Sequence, residues 1–353
     1  MKVAIAMSGG IDSSVAAIIL KEQGHDVIGI TARFLPHNEV NDRLFDMTLH
    51  DAADTASMLS IPHNVYDFSE EFRKTIIEYF CDQYIHGRTP NPCILCNHTI
   101  KFRLLLNESE KLGCTMFATG HYAQVKQNEG RYCVSMGSDS SRDQSYFLCR
   151  LSQEQLKQVI FPLGGLTKTY IREIARERGL KIHDKPDSQE ICFIPGNDYI
   201  SFIESIAVNK PGPGNITDST GKILGKHSGI HRYTIGQRRG MGISAPVPLY
   251  VTGIDAVNNR IIAGPKDELY VSGLETSDVY NMKYIIIDPV HVLIKSRSTQ
   301  IPVRGTVTGT ENSFTVKFDE PQTGISPGQT AVFYDDEGDI IGCGTIAESR
   351  GVI

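Results

Sequence analysis

The chain has 353 residues, enough for two or three domains at the usual ~100–200 residues each. Its 40% hydrophobic and 22% charged residues exclude a disordered or fibrous chain and allow a sizeable core. The net charge of -6 argues against a protein that coats nucleic acid by bulk charge, though not against local basic patches.

The opening MKVAIAMSGG is apolar for one strand's length and then Gly-rich, so it does not read as a signal peptide. No run approaches the ~18 apolar residues of a membrane span. A cytoplasmic protein without membrane partners is expected. KVAIAM reads as a buried parallel strand, and IDSSVAAIILKEQG as a helix stopped at Gly24. HDVIGITARF is a second strand, LFDMTLHDAADTASMLS a helix, HNVYDFS a short strand and EEFRKTIIEYFCDQYIHG a helix. HTIKFRLLLNESEKLG follows, then the strand CTMFATGHYAQV. Alternating strands and helices predict an α/β fold with a parallel sheet covered on both faces. LTKTYIREIARERG is a helix capped by Thr167, with Ile171, Ile174 and Ala175 on its apolar face, and Gly179 ends it. KPGPGNITDSTGK is linker-like, and short alternating runs follow to the end, which predicts a small β-rich module and then a β-barrel. The expected domains are 1–205, 206–270 and 271–353.

Between the first strand and helix lies Ser-Gly-Gly-x-Asp-Ser-Ser. Gly9 and Gly10 let the backbone turn and present N–H groups to an anion. Ser13 and Ser14 can cap the helix or donate to phosphate, and the helix dipole adds to both. The string is neither a Walker A loop nor a dinucleotide fingerprint. It resembles the pyrophosphate loop of the ATP pyrophosphatase superfamily, whose members split ATP between the α and β phosphates. That resemblance implies an ATP site with Mg²⁺ on Asp12, or Asp12 ordering the loop. It also implies that the backbone near Thr31, Ala32 and Arg33 meets the adenine.

Eight cysteines occur. Cys81, Cys114, Cys133 and Cys149 have apolar neighbours and read as small core residues, and Cys343 as structural. Cys93 and Cys96 form a Cys-x-x-Cys pair in RTPNPCILCN, which fits half a zinc site, a redox disulfide, a cluster ligand pair or a sulfur carrier. Structural zinc takes four ligands, commonly two such pairs or one pair with two histidines, and that set is not signalled here. Pro90 and Pro92 predict an open loop with Cys96 just ahead of the next helix, whose dipole would lower its thiol pKa. Cys192, in DSQEICFIPG, would on its own be an inert core thiol.

MSGGIDSS, GRTPNPCILCNHTIKF, ATGHYAQV, SRDQSYFL, DSQEICFIPG, HRYTIGQRRGMGI and PGQTAVFY, in that order, resemble the bacterial tRNA-specific 2-thiouridylase family. The resemblance covers almost the whole chain. It implies an adenine-nucleotide α-hydrolase-like domain, a small central domain and a C-terminal β-barrel, acting on the wobble uridine of tRNA. It implies an ATP site over Ala6, Met7, Ser8, Gly9, Gly10, Ile11, Asp12 and Ser13, with Ala32 and Gly120. It implies tRNA contacts at His121, Arg142, Asp143, Gln144, Arg297, Ser298 and Gln329. A persulfide on Cys192 would deliver sulfur, and Cys96 would release it through a transient Cys96–Cys192 disulfide. Many members carry Asp where this chain has Cys93, and a thiol cannot serve as that carboxylate. Cys93, Cys96 and Cys192 could instead hold a [4Fe–4S] cluster with one open iron. The sulfur would come from an upstream donor protein or from inorganic sulfide.

From Ser219 to Ile254 there is no Asp or Glu, while Lys222, Lys226, Arg232, Arg238 and Arg239 give a local charge of +5. With His227, His231 and Tyr233 interleaved, this suits phosphate contact and stacking. Pro289 to Thr310 is a second acid-free stretch, with Lys295, Arg297 and Arg304. Two other readings remain open: a small-molecule amide or nitrile ligase using the same loop, and a zinc-stabilised RNA-binding module without activity.

Overall fold

The computed structural model describes residues 1–182 and 191–351. Lys2–Ala6 is the middle strand of a five-stranded parallel sheet ordered His63–Asp67, Asp26–Arg33, Lys2–Ala6, Met116–Ala118, Val159–Ile160. Val3, Ala4 and Ile5 are fully buried. Val3 and Ile5 face one layer, with Val15, Ile18, Ile171 and Ala175, and Ala4 faces the other, with Phe102, Leu105 and Phe117. This alternation between two covered faces is why the strand reads as a continuous apolar run. The chain winds outward from Lys2–Ala6 in both directions, so the crevice at the strand's C-terminal end is the topological switch point where α/β sheets bind ligands. The loop Met7–Gly10 and the turn Thr119–Tyr122 both open into it.

The expected strand Cys114–Val125 is broken. Met116–Ala118 stays in the sheet, while Ala123–Asn128 forms a separate hairpin with Arg131–Met136. Between them the Tyr122 amide donates to Gln144 Oε1 (3.0 Å), which carries the chain off the strand end. A second correction concerns the cysteine pair. The helix starts at Pro92 rather than after Cys96, so Cys93 and Cys96 lie in its first turns. Proline at the first helical position has its φ preset and gives up an N–H that would have no partner there. The helix runs on to Lys111, widening to π-helical bonding over Asn97–Leu105. Lys168–Glu177 is helical as expected, with the Tyr170 amide donating to the Thr167 side chain.

Gly214–Thr217, Ile223–His227, Tyr250–Asp255 and Arg260–Gly264 make a four-stranded sheet around Ile216, Tyr233, Val251 and Ile261. Six antiparallel strands from Val271–Asn281 to Ile340–Gly351 close a barrel filled by Leu274, Ile294, Phe314 and Phe333. Val332, Tyr334 and Cys343 of the barrel share a core with Phe102 and Tyr146 of the first sheet domain. The Thr89 amide donates to the Pro327 carbonyl (2.8 Å) and Gln329 Nε2 to the Thr89 carbonyl (2.9 Å). The barrel thereby braces the turn that leads into the cysteine helix. Among the described residues, no helix is long and apolar enough to cross a membrane.

Candidate active site

The glycine loop is built as an anion cradle. Gly9 has φ +63°, and a Cβ there would lie 2.4 Å from the Thr48 carbonyl oxygen of helix Glu39–Met58, so only glycine fits. Gly10 caps helix Ile11–Glu22 with no side chain over the helix end. A Cβ on Gly10 would meet nothing nearer than Ser8 Oγ, at 3.5 Å, which leaves the space in front of the helix N-terminus open to a phosphate. Ser13 Oγ accepts from the Ser8 amide (3.1 Å) and donates to the Gly10 carbonyl (3.1 Å), holding the turn. Ser14 is turned away and bonds Thr55 (3.2 Å), so of the two serines only Ser13 serves the loop. Met7 and Ile11 are buried and Ala6 half-buried, so they offer backbone only. Ala32 lies on the neighbouring strand Asp26–Arg33, beside a buried Thr31 whose hydroxyl donates to the Met7 carbonyl (2.8 Å).

Asp12 is already occupied. Lys168 Nζ donates to both its oxygens (2.8 and 3.0 Å) and the Tyr122 hydroxyl donates to Oδ1 (2.6 Å). A magnesium ion held directly by Asp12 would have to displace the ammonium, so the present arrangement does not fit direct coordination. It fits the other expected role, ordering the loop. Neither Lys168 nor Tyr122 stood out in the sequence, because only the tertiary fold brings them to residue 12. Lys168→Met leaves the Asp12 carboxylate facing the phosphate cradle without its cation. ATP affinity should fall about tenfold, read by calorimetry with a non-hydrolysable analogue.

Gly120 joins the two halves of the site. A Cβ on it would lie 2.8 Å from the Ser13 amide nitrogen and 2.9 Å from the Asp12 carbonyl carbon. The turn therefore rests on the glycine loop's helix. The next residue, His121, accepts or donates at Thr119 Oγ1 (2.6 Å) and packs its ring against Phe102 and Phe161. Burial first, and Lys101 second, hold His121 well below the ordinary histidine pKa, so it is neutral at pH 7. Phe102 and Lys101 belong to the cysteine helix. Nucleotide loop, Gly120–His121 turn and thiol helix thus form one contiguous body.

Cys96 is buried in a core with Ile100, Phe193 and Ile194, the last two flanking Cys192 on the opposite segment. Cys93 is half-buried and Cys192 exposed. The three thiols lie within each other's electrostatic reach. Burial first, then Cys192 and Cys93, push the Cys96 thiol up to about 12 against the opposing pull of Lys101. Although the Cys192 residue keeps surface open to solvent, desolvation by the protein packed around its thiol first, then Cys93, push it up to about 11; the open surface is what bears on access. The expected lowering of the Cys96 pKa by the helix dipole is overturned, because desolvation of the thiolate outweighs a dipole felt from beyond the first helical positions. The first residues of the DSQEICFIPG motif, Asp187 to Glu190, lie outside the described residues.

The residues expected at tRNA are scattered in role. Arg297 is exposed, and Arg142 and Ser298 are half-buried. Asp143 accepts from the Gly137 and Ser145 amides (3.1 Å each) and from Ser145 Oγ (2.9 Å). Gln144 pins Tyr122 and Gln329 braces the Thr89 turn, so all three side chains are spent on internal bonds. Lys222, Lys226, Arg238 and Arg239 are exposed, whereas Arg232 pairs with Glu204 (2.5 Å). His227, His231 and Tyr233 are buried, which overturns their expected role as a stacking surface: Tyr233 belongs to the core of the small sheet, and the histidine rings are enclosed beside it. In the second basic stretch Lys295 is buried beside Asp143 and Arg304 pairs with Asp336 (3.1 Å).

Three family models match the chain in succession: a tRNA methyl transferase HUP domain over residues 1–196, a tRNA methyl transferase PRC-barrel domain over 200–265 and an aminomethyltransferase β-barrel domain over 273–346. The tRNA-specific 2-thiouridylase MnmA of Geobacter metallireducens is 44% identical, over 98% of this chain and 96% of its own length. The protein of the same name from Geotalea uraniireducens is 45% identical over 95% and 92%, and that from Clostridium perfringens 43% over 99% and 98%.

Proposed function

This chain belongs to the tRNA-specific 2-thiouridylase family, and on that premise we propose that it replaces the C2 oxygen of the tRNA wobble uridine with sulfur at the expense of ATP. The observation that carries the reading is the continuity of the glycine loop, the Gly120–His121 turn and the helix bearing Cys93 and Cys96. A nucleotide on the loop and a thiol on the helix can then reach one base.

The uracil C2 carbonyl has no leaving group. Its oxygen attacks the α-phosphorus of ATP, pyrophosphate departs, and C2 now bears an adenylate that can leave as AMP. The loop amides and the helix N-terminus take up the charge of the phosphates. The base must leave its stack to reach this crevice. On the persulfide route, the terminal sulfur of a Cys192 persulfide attacks C2 and AMP leaves. Cys96 then attacks the Cys192 sulfur, releasing 2-thiouridine and forming a Cys96–Cys192 disulfide. A two-electron thiol reductant restores both thiols, and a donor protein bearing a persulfide then passes its outer sulfur to the Cys192 thiolate and keeps its own thiol; alternatively, hydrosulfide opens the Cys96–Cys192 disulfide directly, leaving a Cys192 persulfide and a Cys96 thiol with no reductant needed. Burial suits the two cysteines to different tasks. Exposed Cys192 can be loaded from outside, and buried Cys96 stays protonated at rest, which restrains it from expelling the sulfur before a base arrives.

Cys93 opens the second route. Three thiols without carboxylates are the donor set of a [4Fe–4S] cluster, which when bound supplies an open iron for hydrosulfide. A mononuclear zinc site is a poorer fit. Among the described residues, the one group of three metal-ligand side chains within 4.8 Å is Asp335, Glu337 and Asp339, and Lys283 already pairs with Asp335 and Asp339 (2.7 and 2.9 Å). The exposed Lys222, Lys226, Arg238 and Arg239 provide phosphate contacts on the middle sheet.

The test supplies the full chain with ATP, unmodified tRNA and a sulfur source. Pyrophosphate release should require tRNA, and digested tRNA should contain 2-thiouridine by mass spectrometry. Release with a small acid and ammonia, and none with tRNA, would transfer the chain to the ligase reading.

A further inference from the structure

We propose that Lys101 is a positioning residue for sulfur transfer, a fixed positive charge that holds anionic sulfur at the mouth of the Cys93–Cys96–Cys192 cluster. This inference rests on the sulfur-transfer reading above.

The placement comes from the backbone. In a regular α-helix, five residues carry a side chain about 140° round the axis, so residue 101 would point away from Cys96. The cysteine helix widens to π-helical bonding over Asn97–Leu105, and with i→i+5 bonding five residues come round to within roughly 50° of the same direction. Ile100 and Phe102 lie in two separate cores, and Lys101, between them, is half-buried. Local π-helix of this kind is costly and recurs at functional sites.

The charge is also unspent. Lys168 is paired with Asp12, Lys283 with Asp335 and Asp339, and Lys295 lies 3.8 Å from Asp143. Among the described residues, no hydrogen bond or carboxylate engages the Lys101 ammonium. Half-burying an ammonium without a partner costs free energy that nothing in the resting fold returns. The same ammonium lies within electrostatic reach of the Cys93, Cys96 and Cys192 sulfurs and of the His121 ring, so its field covers the whole cluster. Both sulfur routes bring negative charge here, as persulfide, thiolate or hydrosulfide. Neutral His121 cannot balance it, and among the described residues no other cation acts on all three thiols.

The test compares wild type with Lys101→Met and Lys101→Arg. Exposed Cys192 is reacted with a dianionic aromatic disulfide and, separately, with a neutral pyridyl disulfide, and the modified cysteine is identified by mass spectrometry. The ratio of the two rates cancels the thiolate fraction and reports only the local charge. It should fall about tenfold at low salt in Lys101→Met and return toward wild type in Lys101→Arg. The kcat for thiolation should fall with KM for tRNA nearly unchanged. Lys101→Gln replaces the Met variant if that does not fold. An unchanged reagent ratio in a folded, uncharged variant overturns the inference. Failure of the wild type to thiolate tRNA would instead overturn the proposed function, whatever the ratio does.

Discussion

Cys96→Ser and Cys192→Ser each reduce 2-thiouridine formation to background, while tRNA affinity by filter binding stays at the wild-type level. The reason is chemical. A hydroxyl can neither carry a transferable sulfur nor displace one, and all of the turnover passes through both thiols. The two failures differ in kind. Cys192→Ser takes no label from radioactive sulfur on the persulfide route, because its loading site is gone. Cys96→Ser can still be loaded and should accumulate tRNA joined to the protein through Cys192, visible as a reducible band on a denaturing gel. Cys96 lies in an apolar core, so its serine also costs about 1–3 kcal/mol of stability, and Cys96→Ala serves as the control for that. Thiolation that survives in either serine variant removes the assignment.

Cys93→Ser then separates the two routes. A persulfide enzyme keeps partial activity, since Cys93 carries no step. A cluster enzyme loses activity together with its iron and sulfide, measured on protein purified without oxygen.

Gly120→Ala should abolish tRNA-dependent pyrophosphate release while leaving the fold recognisable by circular dichroism. The added methyl would lie 2.8 Å from the Ser13 nitrogen and 2.9 Å from the Asp12 carbonyl carbon, both backbone atoms of the nucleotide helix. Backbone cannot swing aside as a side chain does, so turn and loop must part. Overpacking of this sort costs about 1–3 kcal/mol of stability. The larger loss is in catalysis, because a displacement of about an ångström between reacting groups can cost a factor of about one hundred. The residue's φ lies outside the left-handed region, so the effect is one of contact rather than strain. Pyrophosphate release within tenfold of wild type would show that this close approach does not govern adenylation.

Much of the architecture was legible in the residues. The two-faced strand Lys2–Ala6, the Ser-Gly-Gly turn, the capped helix after Thr167 and the change to β-rich structure near residue 206 are all local patterns, and each is present. The misreadings arose where neighbours in space outvoted neighbours in sequence. Pro90 and Pro92 suggested a loop, yet Pro92 opens a helix because the cysteine segment has a core to bury in. The histidines and Tyr233 of the basic stretch looked like a stacking surface, yet Tyr233 packs into the apolar core of the small sheet, and His227 and His231 are buried with their rings bonded to the Asn259 carbonyl and to Glu204.

The sequence by itself determined the alternation of elements, the glycine loop and the polar setting that sets Cys93 and Cys96 apart from the core cysteines, because periodicity, turn chemistry and local composition act over a few residues. Only the tertiary structure decided that Lys168 and Tyr122 close on Asp12, that Gly120 abuts the glycine loop and that Cys192 comes within electrostatic reach of Cys93, Cys96 and Lys101. Those relations join residues as many as 156 positions apart, and burial, which set the Cys96 thiol against the expected helix dipole, exists only once distant segments have excluded water.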